Sequence, residues 1–423
     1  MQTELFVEEA PPDFTLELFQ AYFDCRKNKR NTINALVFEK HFEHNLFRLQ
    51  EEIANGTFEP QRSIAFIVNK PVKREVFAAD FRDRVVHHFL INKLNPLFEK
   101  EFIFDSYACR VGKGTHFGIR RVYGFIEKCS KNFTSDCYVL KLDVQGFFMH
   151  INRELLFKSL EKFINEKYTE SDKGLVLALC RKFIYSDPTT NCIIKGSKKD
   201  WEGLPANKSL FNSPPHCGLP IGNLTSQVFA NFYMNVFDHF MKNDLGVSYY
   251  GRYVDDFIIV HQNNDYLKSI VPLIAGYLRT HLGLALHPKK VYQQHYSQGV
   301  KFLGTVIKPN RIYIANRTKG KFYAAIKKQN EVIKNSIPDQ TARSKFLSSM
   351  NSYLGIMKHY SSYRLRRKMI LKYLSTLWWS HFYISGGFAK ISKKLKKIHK
   401  AQISRRSQLL IPFKPLELLK LFV

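Results

Sequence analysis

Acidic residues are scarce in this chain. Of its 423 residues, 36 are Asp or Glu and 65 are Lys or Arg, which leaves a formal net charge of +29. A surplus of this size repels itself unless a polyanion neutralises it, and nucleic acid is the usual polyanion. The charge therefore favours a nucleic-acid partner, although a generically basic protein would have the same composition.

Long apolar runs and paired cysteines are also missing. No segment approaches the ~18–20 consecutive apolar residues that span a bilayer, and the acidic N-terminus MQTELFVEEAPPDF has no basic-then-apolar signal. The seven cysteines are scattered without a C-x-x-C pair, so neither a zinc site nor a disulfide framework is expected. The apolar fraction of 45% allows a sizeable core. We expect a soluble intracellular protein with no membrane partner.

Three aspartates stand where predicted strands end. Asp143 closes the strand VLKLD, and Asp255 and Asp256 lie in YVDD, at the tip of a predicted hairpin over 248–261. Adjacent aspartates are costly there, because like charges repel and strands disfavour Asp. A polar turn would explain the adjacent pair alone. With Asp143 on a neighbouring strand, however, the carboxylates can hold two Mg²⁺ ions ~3.5–4 Å apart for in-line phosphoryl transfer.

Four segments occur in the order expected of a reverse transcriptase: LDVQGFF (142–148), GLPIGNLTSQ (218–227), YVDD (253–256) and KFLG (301–304). From about residue 15 to 385 the chain resembles these enzymes. The resemblance implies an α+β right-hand polymerase fold and an RNA-directed DNA polymerase that extends a 3′-hydroxyl with dNTPs on an RNA/DNA template–primer duplex. The implied organisation is N-terminal helices (1–62), fingers (63–136), a palm with an antiparallel sheet (137–310) and a surface insertion (185–217), a helical thumb (311–386) and a basic helical tail (387–423).

The resemblance assigns roles to individual residues. Asp143, Asp255 and Asp256 would be the catalytic, metal-binding carboxylates. Phe148 matches the steric gate against a ribose 2′-hydroxyl, unless it is a core residue like its neighbour Phe147. The implied dNTP contacts are Lys73, Arg74, Arg110, Phe148, Gly222, Gln227 and Lys290. Arg74 suits bidentate phosphate binding, Gly222 would permit close approach of the backbone, and Lys290, preferred over Lys289, would be the general acid. Each of the basic residues could instead be a solvated charge.

The segment 218–227 departs from the commoner form of its motif. Ile221 replaces a frequent Gln, and Ser226-Gln227 replaces a frequent Ser-Pro. Because Ile cannot hydrogen-bond a nucleotide, base selection could be relaxed or supported otherwise. This form is similar to the bacterial branch that contains diversity-generating retroelement and antiphage defence reverse transcriptases.

Two basic tracts, KHYSSYRLRRKMILK (358–372) and KISKKLKKIHKAQISRR (390–406), contain no acidic residue. As helices they would present phosphate-binding faces, the first to the template–primer duplex and the second to a structured RNA, although solvated helix surface is the simpler alternative. The candidate nucleic-acid contacts are Lys358, Arg364, Arg366, Arg367, Lys393, Lys394, Lys396 and Lys397.

After about residue 385 only the short tail remains, so we expect no RNase H or integrase domain. The leading hypothesis is an enzyme of the bacterial cytoplasm that copies a dedicated noncoding RNA in antiphage defence. A diversity-generating retroelement enzyme, a template-independent DNA polymerase and a non-catalytic RNA-binding scaffold remain alternatives. The sequence leaves the oligomeric state open.

Overall fold

The chain divides into two compact units. The computed structural model describes residues 13–27, 32–69 and 72–394. The first unit runs to Leu303 and includes Ile307–Asn310, and the second comprises Gly304–Val306 and the chain from Arg311. Among the described residues, no helix combines the length and the apolar character needed to cross a membrane.

The first unit contains both helices and short strands. Its helices are α1 (Thr15–Arg26), α2 (Ile33–Glu39), α3 (Phe42–Ala54), α4 (Phe81–Glu101), α5 (Thr115–Cys129), α6 (Phe147–His150), α7 (Arg153–Lys167), α8 (Lys173–Tyr185), α9 (Leu224–Tyr233), α10 (Asn235–His239) and α11 (Asn264–Leu282). Its strands are β1 (Ile64–Val68), β2 (Arg74–Ala78), β3 (Tyr138–Asp143), β4 (Ile193–Ile194), β5 (Tyr249–Tyr253), β6 (Asp256–His261), β7 (Tyr292–His295) and β8 (Val300–Phe302). The combination of helices with an antiparallel central sheet confirms the predicted α+β class.

A four-stranded antiparallel sheet, in the order β5-β6-β3-β7, forms the centre of this unit. Four successive residues of β6, Phe257 to Val260, are at most 1% exposed. Successive side chains of a strand point to opposite faces, so both faces of the sheet are covered. The predicted hairpin at 248–261 is confirmed as β5 and β6.

The insertion at 185–217 is fastened to a second sheet. That sheet has the order β2-β1-β4, and β4 comes from the insertion itself. Glu75 of β2 is 1% exposed and accepts hydrogen bonds from Trp201 Nε1 at 2.6 Å, Ser209 Oγ at 2.7 Å and the Leu210 backbone N–H at 2.6 Å. A buried carboxylate is tolerated when such donors surround it. These bonds anchor the insertion to β2, while most of its residues are exposed, as expected for loops or short strands over the surface.

The second unit is mainly helical, with α12 (Asn316–Asn335), α13 (Gln340–Met357) and α14 (Tyr363–Lys368). The strands β9 (Thr305–Lys308) and β10 (Arg311–Ile314) are neighbours in a three-stranded sheet of the order β10-β9-β8.

The expectation of a helix at the start of the basic tail is wrong for its described part. Lys390–Lys393 form strand β12, which pairs antiparallel with β11 (Phe382–Ser385). Ile391 is buried while Lys390 and Lys393 are exposed, and its backbone N–H and carbonyl both bond the Asn351 side chain at 2.8 Å. The turn between the strands contains Gly386 and Gly387 at positive φ. The boundary predicted between the thumb, ending at 386, and the tail therefore falls inside a hairpin.

Candidate active site at the end of the antiparallel sheet

The pairing of β3 with β6 brings the three aspartates together. Asp143, the last residue of β3, lies directly opposite Asp256, the first residue of β6. Asp255 occupies the turn between β5 and β6, and its carbonyl accepts a hydrogen bond from Val144 N–H at 3.3 Å. Residues 112 positions apart in the chain thus share one end of the sheet, as the strand-end positions predicted.

The electrostatics of the site follow from this crowding. Burial, reinforced by the charges of Asp143 and Asp256, raises the pKa of Asp255 from 3.8 to about 7. Burial also raises the pKa of Asp256, although the ammonium of Lys141 opposes that effect. Like charges that are only partly compensated favour the protonated form of a carboxyl group, so the site has the electrostatic character of a cation-binding site.

Two lysines partly compensate these carboxylates. Lys290 Nζ lies 2.7 Å from Asp143 Oδ1, which supports the preference for Lys290 over Lys289, an exposed residue. Lys141 Nζ lies 3.2 Å from Asp256 Oδ1. Lys141 is not among the site residues predicted from the sequence. Its position two residues before Asp143 was the available signal, because residues two apart on a strand share a face.

The donor chemistry fits Mg²⁺, which prefers carboxylate oxygens together with substrate phosphates. Within residues 13–27, 32–69 and 72–394, no three His, Cys, Asp or Glu side chains are arranged as a complete metal-ligand set. Asp143 and Asp256 each direct an oxygen towards a lysine. Metal binding at this site would require these ion pairs to rearrange.

Backbone hydrogen bonds connect the predicted nucleotide-binding segments to one another. Phe77 N–H of β2 donates to the Ile221 carbonyl at 2.8 Å, and Leu219 N–H donates to the Phe148 carbonyl at 2.8 Å. Gly222 has φ +130°, and a Cβ there would lie 2.7 Å from the Phe77 carbonyl oxygen. Glycine is therefore required for this turn to pack against β2, a role different from the predicted approach to a nucleotide.

The side chains of the two neighbouring phenylalanines differ in environment. Phe147 is 3% exposed within the main core. Phe148 is only partly buried, between that core and a smaller apolar cluster that Ile221 also joins. The partly exposed ring is the one that the motif assigns as steric gate. Ile221 packs against this smaller cluster as an apolar residue. Gln227 is exposed on α9, and its side-chain oxygen accepts a hydrogen bond from Cys109 Sγ at 3.2 Å.

The basic residues of the predicted fingers fall into three environments. Arg74 begins β2, is exposed and has no ion-pair partner among the residues that the structure describes. Lys73 donates to the Glu202 carbonyl of the insertion. Arg110 corrects an expectation, because its side chain is 4% exposed and its guanidinium bonds Glu99 at 2.7 Å and the carbonyls of Ile103 and Ser106. Arg110 is thus a structural residue, and its assignment to nucleotide binding is withdrawn.

The candidate contacts of the second unit also divide by exposure. Lys358, Arg364, Arg367, Lys393 and Lys394 are exposed, as phosphate binding requires. Arg366 is 7% exposed and donates to the Gly387 carbonyl at 3.3 Å, so it is withdrawn from the nucleic-acid contacts. Lys396 and Lys397 lie outside the described residues.

The end of the central sheet thus combines three carboxylates, a lysine beside them and a partly exposed ring. The family model for reverse transcriptase (RNA-dependent DNA polymerase) matches residues 70–307, more than half of the chain. The chain therefore belongs to the reverse transcriptase family, and the predicted enzyme class, RNA-directed DNA polymerase, is confirmed.

Individual relatives are distant. Protein YkfC of Escherichia coli K12 is 22% identical over 309 residues, which cover 64% of this chain and 73% of YkfC. Nuclear intron maturase 1 of Arabidopsis thaliana is 30% identical over 87 residues, 21% of this chain and 11% of the maturase. Among solved structures, apo telomerase of Candida tropicalis has a TM-score of 0.45 at 13% identity, covering 80% of this chain and 61% of the telomerase.

Proposed function

We propose that this chain copies RNA into DNA by two-metal nucleotidyl transfer at Asp143, Asp255 and Asp256. The 3′-hydroxyl of a primer would lose its proton to water and its oxygen would attack the α-phosphorus of a dNTP. A new P–O bond would form, the bond from the α-phosphorus to the bridging oxygen would break, and pyrophosphate would leave. The observation that carries the proposal is the register that sets Asp143 opposite Asp256, with Asp255 in the adjoining turn. Membership of the reverse transcriptase family supports it.

The residues of the site would divide the work. Two Mg²⁺ ions held by Asp143 and Asp255, with Asp256 as a further carboxylate, would stabilise charge on the attacking and leaving oxygens. Lys290, an ammonium 2.7 Å from Asp143, would protonate the pyrophosphate as it departs. Arg74, with Lys73 released from the Glu202 carbonyl, would bind the triphosphate. Phe148 would exclude a ribose 2′-hydroxyl.

The second unit would bind the template–primer duplex. Lys358, Arg364 and Arg367 are exposed cations on or beside α14, and contacts of this kind to phosphates carry affinity without sequence selection. The tail, from Lys393 and Lys394 onward through Lys396 and Lys397, would hold a structured noncoding RNA. Binding through phosphates requires that affinity falls steeply as salt is added.

The proposed setting is antiphage defence in the bacterial cytoplasm, with a dedicated noncoding RNA as template or scaffold. The IGNLTSQ segment and a bacterial relative support this setting. Sequencing the RNA that co-purifies with the protein, and any DNA copied from it, tests this part. Template and variable repeats beside the gene would contradict it and favour a diversity-generating retroelement.

Primer extension tests the reaction itself. Purified protein would be given an RNA template, an annealed primer, dNTPs and Mg²⁺. We expect extension by the wild type and by Asp244→Ala, which changes an exposed carboxylate, and none by Asp255→Ala/Asp256→Ala. Equal synthesis by all three proteins would reject the assigned site. Products made from a single dNTP without template would instead favour terminal transfer.

A further inference from the structure

A buried arginine stands directly behind the turn that carries Asp255. Arg252 is the fourth residue of β5, and its side chain is 0% exposed. Its backbone N–H donates to the Asp105 carbonyl and its carbonyl accepts from Tyr107 N–H, both at 2.9 Å. The backbone of Arg252 is therefore fixed independently of its side chain.

The charge of Arg252 is matched by one carboxylate. Arg252 Nε lies 2.7 Å from Asp238 Oδ1 and Nη2 lies 2.5 Å from Asp238 Oδ2, in a bidentate pair that is 0% exposed on both sides. Asp238 also accepts from Tyr250 Oη at 2.6 Å, and Arg252 Nη2 donates to the Asn231 carbonyl at 3.3 Å. A hydrophobic pair of similar volume often gives equal or greater stability than a buried ion pair, so stability alone does not account for this one.

The remaining side-chain hydrogen bond of Arg252 reaches the turn that carries Asp255. Arg252 Nη1 donates to the carbonyl of Val254 at 3.0 Å. Val254 precedes Asp255 and has φ +58°, a left-handed conformation that a β-branched residue rarely adopts and that its surroundings must enforce. The guanidinium thus connects α10, through Asp238, to the strained peptide that sets the direction of Asp255.

We propose that Arg252 and Asp238 are a positioning pair, which holds the Val254–Asp255 turn in the one conformation that presents the Asp255 carboxylate to a divalent cation. Asp238 orients the guanidinium, and the guanidinium holds the Val254 carbonyl. The inference rests on the proposed function for its catalytic consequence, but the order of the turn and its affinity for a metal can be measured without any polymerase activity.

The decisive variant is Arg252→Met/Asp238→Leu. It removes both buried charges together, so no unpaired charge remains and the fold is expected to persist, but the bond to Val254 is lost. Arg252→Lys is the second variant, because a lysine can still neutralise Asp238 yet cannot bond Asp238 and Val254 with the same bidentate geometry. The control is Arg26→Met/Glu39→Leu, which removes a bidentate but partly exposed pair within the first unit, on α1 and α2.

Three readouts separate positioning from folding: the melting temperature, the affinity for Mn²⁺ as the probe cation, and hydrogen exchange at Val144 N–H, which bonds the Asp255 carbonyl. Supporting results are a double variant that melts cooperatively, binds Mn²⁺ on the order of 10- to 100-fold more weakly and exchanges Val144 faster, as for loss of an outer-shell partner. In primer extension kcat would fall by a similar factor while the KM for dNTP changes little.

The proposal would be overturned if either folded variant kept Mn²⁺ affinity and Val144 exchange at wild-type levels. If the double variant does not fold, Arg252→Lys decides on the same criteria. Absence of DNA synthesis by the wild type would refute the proposed function, whereas the binding and exchange results would still decide the role of the pair.

Discussion

The crowding of carboxylates predicts that the candidate active site lowers the stability of the metal-free protein. The test is Asp255→Asn, which keeps the size of the side chain and removes its charge. The folded state raises the pKa of Asp255 from 3.8 to about 7. A carboxyl group with a raised pKa contributes stability that is complete below pH 3.8 and is lost as pH rises through 7.

The magnitude follows from the shift. Between pH 5 and pH 8 the contribution of a group shifted this far falls by about 2–3 kcal/mol. Asp255 retains partial exposure, so we expect about 1–3 kcal/mol. Asp255→Asn has no titrating carboxyl group at this position, so its stability does not include this pH-dependent decrease. Relative to the wild type, its free energy of unfolding should therefore rise by that amount between pH 5 and pH 8.

Urea unfolding in the presence of EDTA, at both pH values, measures the difference. Asp244→Asn is the control, because it removes an exposed carboxylate outside the site and should show no such pH dependence. An asparagine variant whose stability relative to wild type is the same at pH 5 and pH 8 would refute the electrostatic description of the site. Mg²⁺ should reverse the effect by binding the ionised wild type preferentially.

Three further predictions concern neighbouring residues. Lys141→Met removes the cation beside Asp256, so Mn²⁺ should bind more tightly in a calorimetric titration. The metal-free protein should lose about 1 kcal/mol of stability or less. Unchanged affinity for Mn²⁺ would contradict the role of Lys141 as a partner of Asp256. Phe148→Ala should allow ribonucleotides to be incorporated in primer extension, with only a modest loss in the free energy of unfolding. Phe147→Ala, in the core, should lower the free energy of unfolding by about 3–5 kcal/mol. If Phe147→Ala admitted ribonucleotides and Phe148→Ala destabilised the fold, the two roles would be exchanged. Gly222→Ala should lower the free energy of unfolding by about 1–3 kcal/mol, because Gly222 has a positive φ and lies close to the Phe77 carbonyl. Gly276→Ala, within helix α11 where a Cβ would meet no neighbouring atom, should instead raise it by about 0.5–1 kcal/mol. Equal effects of the two substitutions on urea unfolding would refute the steric argument.

The same close approach explains why the sequence reveals only part of what a motif residue does. Gly222 belongs to a recognisable motif, but the contact that excludes any other residue is with Phe77, which lies in a distant part of the sequence. Arg110 and Arg366 show the reverse error. Both stand in basic segments that favour phosphate binding, yet both are buried against carbonyls of their own unit. Charge is a property of composition, whereas exposure is a property of packing.

The tail gives a similar lesson about secondary structure. Alternation of Lys390, Ile391 and Ser392 fits a strand as well as the basic tract fits a helix, and the choice depends on the pairing with β11 and on the Asn351 side chain, which bonds both sides of Ile391. The strand β11 is a close neighbour in the sequence, but Asn351 lies 40 residues before Ile391, so local pattern cannot reveal its contribution.

The sequence by itself determined the α+β class, the strand-end aspartates and the family. Alternating strand patterns and contiguous motifs are local features, so they can be recognised without knowing the tertiary structure. Only the tertiary structure decided that Lys141 faces Asp256, that Arg110 is structural and that Arg252 supports Val254. Each of these depends on distances between segments far apart in the chain, and the cost of burying a charge can be judged only when its partner is known.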